Sequence, residues 1–139
     1  MFGMIDRLFD RSRDAALLLA RLALAAIFIP SGFSKLLHLE TFARSLAARG
    51  VPGGTAMALL AAGVEFFGGL AVALGFRVRW SALFLLAFTL AAAFVSHRFW
   101  EFDDGQRTMQ YVQFMKNLAI AGGFLALSAA GAGRFRIGR

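Results

Sequence analysis

The chain has 139 residues, of which 59% are hydrophobic, above the roughly 45–50% of an ordinary soluble domain. Its formal net charge of +7 would suit a nucleic-acid partner, but the basic residues cluster at the ends of apolar stretches and in short loops. We therefore expect a membrane protein that binds no nucleic acid. Because the sequence has no cysteine, disulfides, iron–sulfur clusters and cysteine-ligated zinc are excluded, and any redox role needs a borrowed cofactor.

Four apolar stretches are long enough to cross about 30 Å of hydrocarbon as helices. They cover residues 15–37, 55–76, 80–97 and 109–130. Between the first two, Leu39, Phe42 and Leu46 recur at helical spacing, and this segment ends in glycine and proline residues. The sequence therefore predicts an all-α integral membrane four-helix bundle. An additional amphipathic helix is expected on the membrane surface between spans one and two.

Arginine residues are divided unequally between the two ends of the predicted bundle. The more basic end carries Arg7, Arg11, Arg13, Arg77, Arg79, Arg134, Arg136 and Arg139. The other end carries Arg44, Arg49, Arg98 and Arg107, together with most of the acidic loop residues. Because short cytoplasmic loops are enriched in lysine and arginine, this bias predicts that both termini are cytoplasmic.

Ionisable side chains interrupt the apolar stretches or lie at their edges: Arg21, Lys35, Glu65, His97 and Lys116. A charge near the centre of a bilayer costs about 2.5–3.5 kcal/mol, so such residues usually face a partner or a cavity. Small residues share the helical side of Glu65, which predicts that this side lies in a helix–helix interface. Counted from the span ends, Arg21 and Glu65 differ by only about 6 Å in depth. We therefore predict a structural ion pair between Arg21 and Glu65.

The remaining polar residues are predicted to share a pocket in the outer half of the bundle. Its candidate binding residues are Lys35, Glu65, His97, Lys116 and Asn117. The two lysines would provide positive charge, and His97 would exchange a proton near neutral pH. Two alternatives stay open, since Lys35 would also reach the outer interface and His97 would also fit an interfacial aromatic belt. No spacing of histidine and acidic residues indicates a metal site.

Four segments resemble successive blocks of the DoxX family of small bacterial membrane proteins: RLALAAIFIPSGFSKL, VEFFGGLAVALGFRVRW, HRFW and FMKNLAIAGGFLAL. The resemblance implies a four-helix bundle in the bacterial inner (plasma) membrane. It places the family pattern on Arg21, Gly32, Lys35, Glu65, Gly69, Arg79, His97, Lys116 and Asn117. Some family members are associated with oxidoreductase complexes, which implies an oxidoreductase partner subunit here. Related proteins that handle thiols use cysteines, which this chain lacks.

Two functional hypotheses follow. In the first, the chain is the membrane subunit of a redox system, with no covalently bound cofactor and with a quinone or an anion in the outer pocket. In the second, it is a non-catalytic membrane scaffold or small-molecule carrier whose buried charges are structural. A transporter is disfavoured, because four short helices enclose little volume unless the protein oligomerises. Glycine-rich faces on the second and fourth spans would permit a homodimer.

Overall fold

The computed structural model describes residues 2–138, so that Met1 and Arg139 lie outside the described residues. Within this range the chain forms five α-helices, a short 3-10 helix at Phe99–Glu101 and no strand. The α-helices are α1 (Phe2–Leu37), α2 (Leu39–Ala48), α3 (Gly54–Leu74), α4 (Val78–Ser96) and α5 (Asp104–Ala130). The predicted all-α fold is confirmed.

Four of these helices, α1, α3, α4 and α5, are long and apolar enough to cross a membrane. They correspond to the four predicted spans, and two of them, α1 and α5, begin well before the predicted bounds. α5 starts at Asp104, and α1 starts at Phe2, well before the predicted span at residue 15. No proline precedes Pro30, so nothing in the mixed-charge N-terminal segment stops the helix, and α1 also continues through Pro30.

The four long helices form a closed ring in which each packs against two neighbours. α1 packs along α3 and α4 packs along α5 over long stretches, while α5 meets α1 over a shorter one. The core between them includes Phe28, Val72, Leu85 and Phe124. The rings of Phe28 and Phe124 meet edge to face with centroids 5.2 Å apart. This contact joins α1 to α5, the pair of neighbouring helices that pack over the shortest stretch.

Glycine residues bring α1 and α3 unusually close. A Cβ atom on Gly32 would lie 2.5 Å from the backbone nitrogen of Phe66, and one on Gly69 would lie 3.1 Å from the Phe28 Cβ atom. Small residues permit such approach between membrane helices. The contacts also fix the antiparallel register, which sets Glu65 opposite the last turns of α1. Its side of α3 is buried, as the small neighbouring residues predicted.

The two ends of the bundle differ in the elements that cover them. The terminal face is the end where α3 passes into α4, and it is covered by the tail, residues 131–138, whose Ile137 amide donates to the Leu74 carbonyl oxygen at 3.0 Å. The loop face is the opposite end, which holds α2 and the 3-10 helix. α2 packs against α3, so part of its apolar side meets protein, and its position on the membrane surface stays a prediction.

Candidate functional site

A cavity of about 300 Å³ lies at the loop face between α2, α3 and α4. Its walls are mainly apolar and include Phe42 from α2, Met57 from α3 and Phe88 from α4. Leu60, which also lines the cavity, is 61% exposed, so the cavity opens sideways onto the outer surface of the bundle. Among the described residues that line it, Lys35 alone is charged. An apolar pocket with one polar end suits an amphipathic ligand.

Lys35 forms the polar end of this cavity, and Glu65 is its ion-pair partner. The Lys35 ammonium donates a hydrogen bond to Glu65 Oε2 at 2.5 Å and joins α1 to α3. The Glu65 side chain is only 6% exposed, whereas that of Lys35 is 32% exposed. Lys35 Nζ also lies 5.2 Å from the centroid of the Phe42 ring on α2. The carboxylate is therefore neutralised in place, and the ammonium retains access to the cavity.

The predicted ion pair between Arg21 and Glu65 is wrong. Arg21 is fully buried, but it lies against Gly75 at the terminal face, where its Nη2 donates to the Phe135 carbonyl oxygen. Gly75 is ten residues from Glu65, about 15 Å along α3. The predicted depths of Arg21 and Glu65 were counted separately from the ends of their own spans. The prediction failed because the register of α1 against α3 is set by their glycine contacts. Within residues 2–138, Arg21 Nε and Nη1 have no hydrogen-bond partner.

The structure does not bring the other three candidate residues to Lys35 and Glu65. His97 Nδ1 lies 2.9 Å from Gln110 Oε1, a contact that joins the end of α4 to α5. Lys116 is exposed and Asn117 is half-buried, and neither side chain forms a hydrogen bond or ion pair within the described part of the chain. The predicted five-residue polar pocket is therefore not assembled, and Lys35 with Glu65 is its remaining core.

Aromatic side chains gather at the loop face next to His97. The Phe99 ring lies 5.2 Å from that of Tyr111 and 5.5 Å from that of Phe114, with edge-to-face geometry in both cases. Phe94 meets Phe114 in the same way at 5.2 Å. Amphipathic aromatic rings concentrate at membrane–water interfaces, so this cluster suits the aromatic-belt alternative for this segment.

The apolar lining of the cavity was missed at the sequence level. The search for ionisable residues in apolar stretches found Lys35 and Glu65. It did not find Met57 or Phe88, which line the loop-face cavity but carry no charge. The available signal was the apolar side of α2, since Phe42 and Leu46 both face the cavity. Among the described residues, no group of three histidine or acidic side chains is arranged to hold a metal ion.

The closed ring of apolar helices and the intramembrane charge pair define a small four-helix integral membrane protein. The sequence model of the DoxX family matches residues 16–98, more than half of the chain, and the chain belongs to this family. The match ends before α5, so the first four helices carry it. The sequence-level resemblance to this family is confirmed.

Two curated proteins of Escherichia coli (strain K12) are similar along nearly the whole chain. "Inner membrane protein YqjF" is 40% identical over 126 residues, which cover 91% of this chain and 92% of that protein. "Inner membrane protein YphA" is 31% identical over 131 residues, 94% of each chain. No solved structure gives a significant match. The chain is thus a DoxX-family inner membrane protein, while the cytoplasmic location of its termini stays a prediction.

Proposed function

We propose that this protein binds a quinone-class lipid in the loop-face cavity and serves as the membrane subunit of a redox system. One observation carries the proposal. The Lys35 ammonium, paired with the buried Glu65 carboxylate and lying beside Phe42, is the polar end of an apolar cavity that opens sideways. A quinone has the matching form, with carbonyl oxygens on a flat ring and an apolar tail.

The charge state of the site favours a neutral polar group over an anion. Glu65 neutralises Lys35, so the pair carries no net charge toward a ligand. The ammonium still has three N–H donors, of which Glu65 takes one. A second donor is therefore available for a quinone carbonyl oxygen, whereas an anion would be repelled by the carboxylate. The anion given in the sequence analysis as the other possible ligand of this pocket suits this geometry less well.

The electrons would come from another protein. The chain has no cysteine, so it supplies no thiol relay of its own. Its role in the proposal is to hold the quinone ring at a fixed depth near the loop face, where a partner oxidoreductase would reach it. The partner and the homodimer expected from the sequence remain predictions.

Equilibrium dialysis of the purified protein against a short-chain ubiquinone analogue tests this function. The wild-type protein should retain the quinone. Ala92→Phe should abolish retention, because Ala92 lines the cavity and the larger ring would occupy it. Ala87→Phe is the matched control, since Ala87 lies on the exposed side of the same helix and should leave retention unchanged.

The alternative is a scaffold in which the charge pair only holds α1 against α3. It predicts no retained quinone in the wild-type protein and equal behaviour of Ala92→Phe and Ala87→Phe. Either result would reject the quinone site. If substitution of Lys35 or Glu65 then lowered the folded yield while Ala92→Phe did not, the ion pair would be identified as structural.

A further inference from the structure

A second cavity, of about 540 Å³, lies at the terminal face and is strongly basic. It is bounded by α1, by the turn between α3 and α4 and by the tail. Its described lining includes one acidic residue, Asp14, and five arginines: Arg13, Arg77, Arg79, Arg134 and Arg136. The formal charge of these side chains is five minus one, or +4. Such an excess around one concave surface attracts anions.

Three of these arginines are held in place by contacts, and for two of them, Arg13 and Arg79, the partners are neutral carbonyl oxygens. Arg13 Nη2 donates to the Ala130 carbonyl oxygen at 3.1 Å, and Arg79 Nη1 donates to two carbonyl oxygens at the end of α5, at 2.8 and 2.7 Å. Arg134 Nε lies 3.7 Å from Asp14 Oδ2, the one ion pair of this cavity among the described residues. The guanidinium groups of Arg13 and Arg79 are therefore positioned by neutral carbonyls, and of the three only Arg134 is paired with an acid among the described residues.

Two further arginines have no such contact. Within residues 2–138, the side chains of Arg77 and Arg136 form no hydrogen bond or ion pair. Arg77 also has a φ of 42°, a left-handed conformation that residues other than glycine rarely adopt. The backbone thus holds an arginine where glycine would be the less strained choice, which points to a use for its charge.

Arg21 adds a buried cation beneath the cavity. Its Nη1 packs against Gly75, and both Gly75 and the neighbouring Arg136 line the cavity. Arg21 is 0% exposed, and its Nε and Nη1 lack hydrogen-bond partners within the described residues. A buried charge without a partner is costly, so an anion in the cavity above it would stabilise this arrangement.

The start of α4 faces the same space. Val78 and Arg79 at the first turn of α4 line the cavity, and the helix begins without a side-chain cap. Uncapped amide groups and the helix dipole at an N-terminus both favour an anion.

We infer that the terminal-face cavity binds a phosphate group. The planar guanidinium fork of arginine matches phosphate oxygens, and several forks around one cavity suit a tetrahedral anion. Trp80, at the rim, is 64% exposed, as expected of a tryptophan at the membrane–water interface. The headgroup of an anionic phospholipid is the expected source of the phosphate, since basic pockets on the cytoplasmic side of membrane helices bind such lipids and the terminal face is the predicted cytoplasmic side. Soluble phosphate offers the same chemistry.

Binding to the purified protein in a neutral detergent distinguishes the two sources. Phosphatidylglycerol, diacylglycerol and inorganic phosphate are compared at equal ionic strength by thermal unfolding and native mass spectrometry. Retention of phosphatidylglycerol with a raised Tm, and no effect of diacylglycerol, identifies a lipid phosphate. An equal effect of inorganic phosphate identifies a soluble source. No effect of either phosphate compound, or an equal effect of diacylglycerol, overturns the proposal.

Two variants separate phosphate binding from folding. Arg136→Gln should weaken binding about fivefold, the effect of one cation near a membrane surface. Arg77→Gly should weaken it similarly while raising the Tm of the lipid-free protein, because glycine relieves the left-handed conformation. The matched control is Arg107→Gln, an exposed arginine at the loop face, which should bind as the wild type does. Equal loss in the control would show only general attraction and would reject the site.

Discussion

At the loop face the buried carboxylate of Glu65 is paired with a cation, Lys35. At the terminal face, by contrast, two nitrogens of the buried Arg21 guanidinium have no hydrogen-bond partner among the described residues. The first arrangement is complete within the chain, because Lys35 neutralises Glu65 and the surrounding cavity is apolar. The second is incomplete, because five more arginines line the space above it. A paired charge needs no further counter-ion, while an unpaired one favours the binding of an anion. The comparison thus separates the proposed site for a neutral ligand from the proposed site for a charged one.

The largest expected effect tests the completeness of the Lys35–Glu65 pair. Lys35→Met should lower the free energy of unfolding by about 3 kcal/mol, because Glu65 would be left buried without a cation. The double variant Lys35→Met/Glu65→Met should recover most of this loss, since no charge remains buried. Both values can be measured by SDS titration in mixed micelles. A double variant no more stable than the single one would contradict the claim that Lys35 and Glu65 neutralise each other without a further group.

The second prediction concerns the close approach on which this pair depends. Gly32→Ala should cost about 2 kcal/mol, because its Cβ atom would overlap the Phe66 backbone and push α1 away from α3. Gly122→Ala is the control, since no described residue lies within 4 Å of a Cβ atom placed there. It should gain about 0.5–1 kcal/mol from better helix propensity. The same unfolding titration measures both, and equal effects would argue against a tight seam.

A smaller effect is expected for an arginine that is anchored at the terminal face. Arg79→Gln should destabilise the protein by about 1 kcal/mol, because the cation no longer binds the free carbonyl oxygens at the end of α5. Arg44→Gln, an exposed change at the loop face, is the control. Hydrogen exchange should show the loss as faster opening of the last turn of α5. Unchanged exchange in this turn would contradict the assigned role.

The smallest expected effect distinguishes the two buried charges most directly. Arg21→Met should change the stability of the lipid-free protein by less than about 1 kcal/mol, because the wild-type arginine is itself buried and only partly paired by the residues that the structure describes. It should also remove the stabilisation by phosphatidylglycerol expected for the wild type. Thermal unfolding with and without this lipid measures both. A loss as large as that of Lys35→Met would mean that Arg21 is fully satisfied within the chain.

The apolar stretches were sufficient to predict the four spans, and the helical spacing of apolar residues was sufficient to predict α2. The order of the four family-like sequence segments was sufficient to predict the family. They were insufficient for the start of α1, because a mixed-charge segment without proline continues as helix as readily as it ends. The tail was also unpredictable, since residues 131–138 have no helical or strand periodicity and are placed by contacts with Asp14, Arg21 and Leu74.

The candidate site was half predictable. Lys35 and Glu65 stand out because charges in apolar spans are rare, but their pairing depends on the register of α1 and α3, which the Gly32 contact sets. Lys116 was misplaced for another reason. α5 carries both polar and apolar sides, and the side with Phe124 turned inward, which left Lys116 exposed. The arginines of the terminal face were interpreted as orientation signals alone, because their convergence requires the folded tail.

If the loop-face cavity holds a quinone as proposed, its sideways opening near Leu60 would determine how the ligand arrives. The molecule would first partition into the bilayer and then diffuse laterally to the gap between α3 and α4. Occupancy would therefore follow the mole fraction of the molecule among the lipids, not its aqueous concentration. Diluting the membrane with inert lipid at constant bulk concentration should empty the cavity.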